Sequence, residues 1–276
     1  MGNLIGTCVA IAVCVSGLAS LQVPRLRTQT EPETLSPERI RTEEQLQAAQ
    51  LKVFETLPVL GFDNMVANWV FLSFLQYFGN EEARLATDYD LSPSFFEVIV
   101  RRDPYFMQPY LYLSASVSLF AAQPERTVAL LERGLEHMTP TFPPNSFLLW
   151  RYKSLDELLF LGDAQAARRS LEKTAEWAEQ SPWPDAANFV DSSRKTAAFL
   201  AQDPDSRQAQ VSSWLVVWGN AVNDNARAIA QERIESLGFT LVETPEGSIT
   251  VVETAPPTGP SAPDADASEG AEPSDS

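Results

Sequence analysis

The chain is poor in the residues that most enzymatic and metal chemistry needs. It has one histidine, His137, and two cysteines, Cys8 and Cys14, both in an N-terminal apolar stretch. Everything after that stretch is free of thiols. A disulfide framework, a Cys-ligated zinc site and a thiol nucleophile are thereby excluded from the folded body. With one imidazole and no thiol, the body also lacks the usual ligand set of a transition-metal site. His137 sits near a predicted helix C-terminus, where an imidazolium complements the helix dipole. No nucleophile elbow accompanies it, no Gly-rich phosphate loop is present, and no cofactor is expected. Basic charge is short as well: 20 Lys and Arg face 37 Asp and Glu, for a net charge of −17. A nucleic-acid surface needs a basic stripe to displace counterions, so nucleic acid is not an expected partner. The six carboxylates from Glu253 onward supply only part of that charge, and the body is acidic too.

Glycine is scarce, at 12, while proline reaches 20 and falls between apolar-periodic segments rather than inside them. That punctuation predicts a helical protein with sharp corners rather than a sheet protein with glycine turns. The clearest corner is Asp103-Pro104, where one apolar segment stops and another starts at once, because proline lacks the N–H that would continue the helix. Related corners at Pro144 and Pro184 give a spacing of about 40 residues, in the range of helical-repeat units.

Leu4–Val23 carries no charge over 20 residues. As a helix it would span about 30 Å, near the hydrocarbon thickness of a bilayer. Three readings compete. A retained single-span anchor fits the length and the following Arg25 and Arg27. A cleaved signal peptide fits the small-x-small site at Gly17-Leu18-Ala19 but lacks a basic start. A lipoprotein lacks a small residue before Cys14. The anchor is preferred, which predicts a body tethered through residues 4–23 to a plasma or thylakoid-type membrane. Gly2, Gly6, Ala10 and Cys14 align small side chains on one face; they fit a helix partner in the bilayer, or the ordinary composition of such segments.

Residues 1–27 are therefore read as anchor or signal segment, 28–41 as polar linker, 42–252 as helical-repeat domain and 253–276 as acidic tail with too little apolar surface to order itself. Thr42 and Gln45 have capping-box spacing for a helix to about Leu57. Asp63 to Gly79 is apolar on nearly every face and is read as the central core helix, with an in-plane membrane contact as the minor alternative. Further helices are predicted at Ser92–Arg102, Tyr105–Ala121, Pro124–Met138, Ser146–Leu161, Asp163–Gln180, Asp185–Ala201 and Ser206–Ser236. Phe239–Glu243 and Ser248–Val252 are predicted to form a small hairpin.

The junction FEVIVRRDPYFMQPYLYLSA resembles tetratricopeptide-like repeats, in which such a corner closes one helix pair and aromatic or small residues knit it to the next. Ala164, Ala166, Ala167 and Ala175, after Gly162, are similar to the small-residue pattern of that family. The consensus Trp-x-x-Leu-Gly-x-x-Tyr block is absent and the period is longer. The likeness covers roughly 92–204 and implies an all-α array of antiparallel helix pairs. The block GFDNMVANWVFLSFLQYFGN with the Asp-Pro junction is also similar to membrane-associated helical-repeat proteins of cyanobacterial type, which implies a photosynthetic membrane.

The expected function is non-catalytic: a membrane-tethered scaffold or assembly factor that binds a protein partner. Arg101 and Arg102 suit bidentate recognition of carboxylates, although basic residues in a last helical turn more often only complement the dipole. Tyr105, Tyr110, Trp150, Trp214 and Trp218 are the aromatic candidates for the same surface; equally spaced aromatics such as Trp214 and Trp218 more often pack on a neighbouring helix. One rival is an envelope enzyme or small-ligand-binding protein using carboxylates in a helical cleft, with Asp88 and Asp90 as candidates; a second is a periplasmic or lumenal repeat protein released after signal cleavage. Asp at a turn is more often a local hydrogen-bond acceptor.

Overall fold

The computed structural model describes residues 36–58, 61–202, 204–244 and 249–254. Among these, eleven α-helices are followed by one two-stranded antiparallel sheet. Helix α1 (Pro37–Thr56) starts earlier than the Thr42 capping box predicts. Ser36 accepts the Arg39 N–H and Pro37 fills the first turn, a stronger start signal than Thr42. Thr42 instead donates its hydroxyl to the Glu38 carbonyl at 2.8 Å.

Helix α2 (Asp63–Gly79) is buried on one side only. Ala67, Val70, Phe71, Phe74 and Tyr77 face the core, whereas Met65, Trp69 and Leu72, with Phe62 just before the helix, are 57–60% exposed. The expectation of an all-round buried helix is therefore corrected: apolar content along the sequence did not mean a neighbour on every face. The expectation of a transmembrane protein is corrected too. No described helix is long and apolar enough to cross a membrane. The segment 4–23, on which that expectation rested, lies outside the described residues, as does the acidic tail from 255 onward.

A short α3 (Glu81–Thr87) leads to α4 (Ser92–Arg102), which packs on both α1 and α2. Phe74, Phe95 and Phe96 are fully buried there, with ring centroids 4.6 Å apart for Phe74–Phe96 and 5.8 Å for Phe74–Phe95. Each such ring contributes about 1.5–3 kcal/mol by leaving water. Asp103 ends α4, and its carboxylate accepts the Tyr105 N–H at 3.1 Å. Helix α5 (Met107–Leu113) then runs into a π-helical segment, Ser114–Phe120. The predicted helix 105–121 thus changes hydrogen-bond register midway. Tyr110 donates to the Pro104 carbonyl at 2.9 Å and lies against Gly134 of α6 (Pro124–Leu135), where any Cβ would collide with the phenol.

From α6 onward, successive helices pack on one another: α6 on α7 (Phe147–Leu159), α7 on α8 (Ala164–Gln180), and α8 on α9 (Ala187–Leu200). Gly162 makes the α7–α8 corner at φ +70, a conformation glycine adopts without steric cost. The predicted helix 206–236 is broken at 221–223 into α10 (Arg207–Asn220) and α11 (Asp224–Ser236), where the Asn223 side chain accepts the Ala226 N–H and starts a new helix. Helix α10 packs back on the π-helical segment and α7, and α11 carries the predicted hairpin, β1 (Phe239–Glu243) paired with β2 (Ile249–Glu253). The apolar interior is divided. One large cluster joins α1, α2, α4–α7 and the π-helical segment, a second centres on α10 and α11, and two small ones lie between α8 and α9 and around Phe147.

Candidate functional site

Helix α7 is the hinge of the candidate site because it bears charge on two faces of an otherwise apolar segment. Toward α6 and α8 it presents Trp150, Lys153 and Glu157 to a groove of about 540 Å3 that Glu132, Arg169, Ser170 and Lys173 also line. Lys153 and Glu157 are one helical turn apart, so their side chains meet. The ammonium lies 2.5 Å from a Glu157 oxygen and 3.2 Å from Glu132. The Ser170 hydroxyl donates to the second Glu157 oxygen at 2.6 Å. Lys153 and Glu157 are both buried, and a buried charge without a partner is strongly destabilising, so the floor of the groove is a mutually satisfied polar unit.

The walls are less complete. The buried indole nitrogen of Trp150 has no hydrogen-bond partner among the described residues, and its ring stands edge-on to Trp177 at 5.7 Å. Arg169 is exposed and makes no ion pair among the described residues, while Lys173 pairs with Glu176 at 2.7 Å. The groove therefore offers a ligand the accessible part of the Trp150 ring, a guanidinium with no ion pair among the described residues, and carboxylate acceptors. Ser170 is not poised as a nucleophile, since it is buried and its proton is engaged by Glu157.

The other charged face of α7 is sealed. Asp156 is fully buried against the π-helical segment, where Ser114 donates to one carboxylate oxygen at 3.2 Å and Ser118 donates to the same atom. Ser118 also meets Thr127 of α6 at 2.8 Å. The second oxygen has no hydrogen-bond partner among the described residues. Burial pushes the Asp156 carboxyl up to about 6; the Ser118 and Ser114 hydrogen bonds oppose this, and the neighbouring Glu157 charge adds to it. A fully enclosed acid cannot reach a substrate, so its influence falls on stability.

The residues singled out from sequence are dispersed. Arg102 donates to the Phe54 carbonyl through Nε (3.0 Å) and Nη2 (2.5 Å), to the Leu57 carbonyl at 2.7 Å, and pairs with Asp63 at 2.9 Å. It fastens the end of α1 to the start of α2 and is fully employed. Arg101 is exposed and pairs with Glu55 at 3.1 Å. Tyr105 is exposed and packs on Phe142 at 5.2 Å. Tyr110 and Trp214 are core residues, the latter donating its indole N–H to the Phe160 carbonyl at 3.2 Å, and so neither can face a partner. Trp218 is half-buried against the α10–α11 cluster. Of the seven, Trp150 alone lines the groove.

Asp88 and Asp90 share a turn, and of the two Asp88 alone lines the open cavity of about 340 Å3 that has Arg41 and Glu44 on its wall. The Asp88 carboxylate accepts the Asp90 N–H at 2.7 Å, and Asp88 itself has φ +74. The Asp90 side chain is exposed; partial desolvation, and then the nearby Asp88 charge, hold its carboxyl above the usual range. Sequence reasoning missed Lys153, Glu157, Asp156, Arg169 and Ser170. The available signal was the run of charges at 153, 156 and 157 in a helix otherwise rich in Phe, Leu and Trp. No protein-family model, curated protein or solved structure matches the chain.

Proposed function

We propose that the chain is a protein-interaction scaffold, a tetratricopeptide-like array of helix pairs whose α6–α7–α8 groove receives a segment of a partner protein. The sequential packing of α6 to α9 and the recurring Pro corners support the array. One observation carries the binding role: an open groove in which the exposed Arg169 guanidinium has no ion pair among the described residues and stands beside the half-buried Trp150 ring. An unpaired guanidinium beside a rigid aromatic is what an incoming peptide carboxylate satisfies, and Trp and Arg are the residue types that dominate such contacts. The satisfied Lys153–Glu157–Ser170 unit beneath holds α7 and α8 in place, so the walls do not need to be organised on binding.

A small anionic ligand is the second reading, because about 540 Å3 falls in the range of small-molecule sites. The two separate by experiment. Photo-crosslinking from position 173 of the full chain in its native cells, followed by mass spectrometry, is expected to join a defined partner peptide. Arg169→Glu should abolish that product while leaving the circular dichroism unchanged. An unchanged set of crosslinks in Arg169→Glu refutes the groove as the binding site. A native mass spectrum with a bound small molecule, and no peptide adduct, favours the second reading.

A further inference from the structure

The exposed side of α2 is a second surface, unrelated to the groove. Phe62, Met65, Trp69 and Leu72 are each more than half exposed and recur at intervals of three, four and three residues. That is the spacing of a two-helix seam, which places every one of them on a single stripe. Four such side chains leave roughly 500 Å2 of apolar surface in water. That exceeds what scattered surface residues explain and is a large part of the roughly 800 Å2 per partner of a stable interface. The opposite side of the helix is already packed against α4, so the stripe is surplus to the fold of one chain.

Charge indicates which partner covers it. The chain carries a net −17, yet residues 64–80 contain no charged side chain. Asp63, at the edge of the stripe, is neutralised by Arg102 at 2.9 Å. Two strongly acidic copies repel over most of their surfaces, and a charge-free face is where they can approach. The stripe is also self-complementary. Under a two-fold axis midway between Met65 and Trp69, Met65 of one copy meets Trp69 of the other and Phe62 meets Leu72, so the same residues serve both sides, as an isologous contact requires. We infer that α2 is a homodimerisation helix, with a second copy of this chain seated on Phe62, Met65, Trp69 and Leu72.

Sedimentation velocity on the full chain tests this. The wild type is expected to dimerise, and Trp69→Glu to weaken the dimer at least tenfold while keeping the helical circular dichroism. Met65→Glu, at a position 60% exposed, serves as the second variant should Trp69→Glu perturb folding. Raising salt from about 0.05 to 0.5 M should tighten the dimer by screening repulsion between the copies. A chain that stays monomeric, or self-association that both variants leave unchanged, overturns the inference. In the monomeric case the stripe belongs to a different protein's apolar helix. None of these readouts depends on the α6–α8 groove.

Discussion

Replacing Asp156 with Asn should change how stability depends on pH, and the structure fixes the sign. The carboxyl lies at about 6 in the folded protein against an ordinary 3.8. Between those values the native state binds the proton more tightly than the unfolded chain, so unfolding free energy falls as pH rises. The stabilisation is complete below 3.8 and gone above about 6. A shift of this size is worth on the order of 3 kcal/mol, at about 1.36 per unit. Roughly 1.4 kcal/mol of it is lost between about pH 5 and pH 8, a range that avoids the sequence pI near 4.4. The Asn amide accepts from Ser114 and Ser118 as the carboxylate does. It also places an NH2 where the second oxygen has no partner, a fixed cost of about 1–3 kcal/mol that does not vary with pH. The decisive quantity is therefore the difference between variant and wild type at each pH. In urea unfolding, Asp156→Asn should gain about 1.4 kcal/mol on the wild type from pH 5 to pH 8. In thermal melts the relative gain should be roughly 3–5 °C. A difference that stays constant across this range would mean that Asp156 is solvated or paired, and would refute the sealed α7 contact.

Two further perturbations probe the polar clamps. Lys153→Met leaves Glu157 buried without its cation and should cost roughly 3–5 kcal/mol; Lys153→Met with Glu157→Leu should recover most of that loss in the same denaturation assay, because neither charge then remains buried. Arg102→Ala removes the cap on α1 and should cost about 2–3 kcal/mol, read by hydrogen exchange as faster exchange confined to α1 and the start of α2. Arg102→Lys should restore only part of the protection, since an ammonium cannot reproduce the fork that reaches two carbonyls and Asp63.

Local features were legible in the sequence where a residue's own backbone chemistry decides the outcome. Pro104, Pro124, Gly162 and Gly238 mark helix ends because their effect does not depend on distant neighbours. The helices 63–79 and 92–102 and the C-terminal hairpin follow from the same local rules. What stayed hidden depends on partners far along the chain. Arg102 resembles any basic residue in a last helical turn until Phe54 and Leu57 are brought to it. Helix α2 looked buried on every face because its two apolar sides are alike in composition, and only packing distinguishes them. Tyr110 and Trp214 are core residues for which aromaticity alone gives no direction. The π-helical segment carries Ser114 and Ser118 to Asp156, some 40 positions away, a contact that no window of local sequence contains. The groove was missed for the same reason, since Ser170 reaches the Lys153–Glu157 pair only when α8 packs on α7.

The divided interior also makes the protein its own optical gauge. Its six tryptophans are shared among the separate clusters instead of gathered in one. Trp150 and Trp177 meet edge to face where the large cluster meets the one around Phe147, and Trp214 of α10 is enclosed in the α10–α11 cluster. Trp183 is exposed in the native state and provides a nearly fixed background. Release of the C-terminal pair would shift the emission of Trp214 to the red while the Trp150–Trp177 contact stayed intact, and loosening of α8 would do the reverse. Intrinsic fluorescence thus reads which section of the array gives way first, with no label attached.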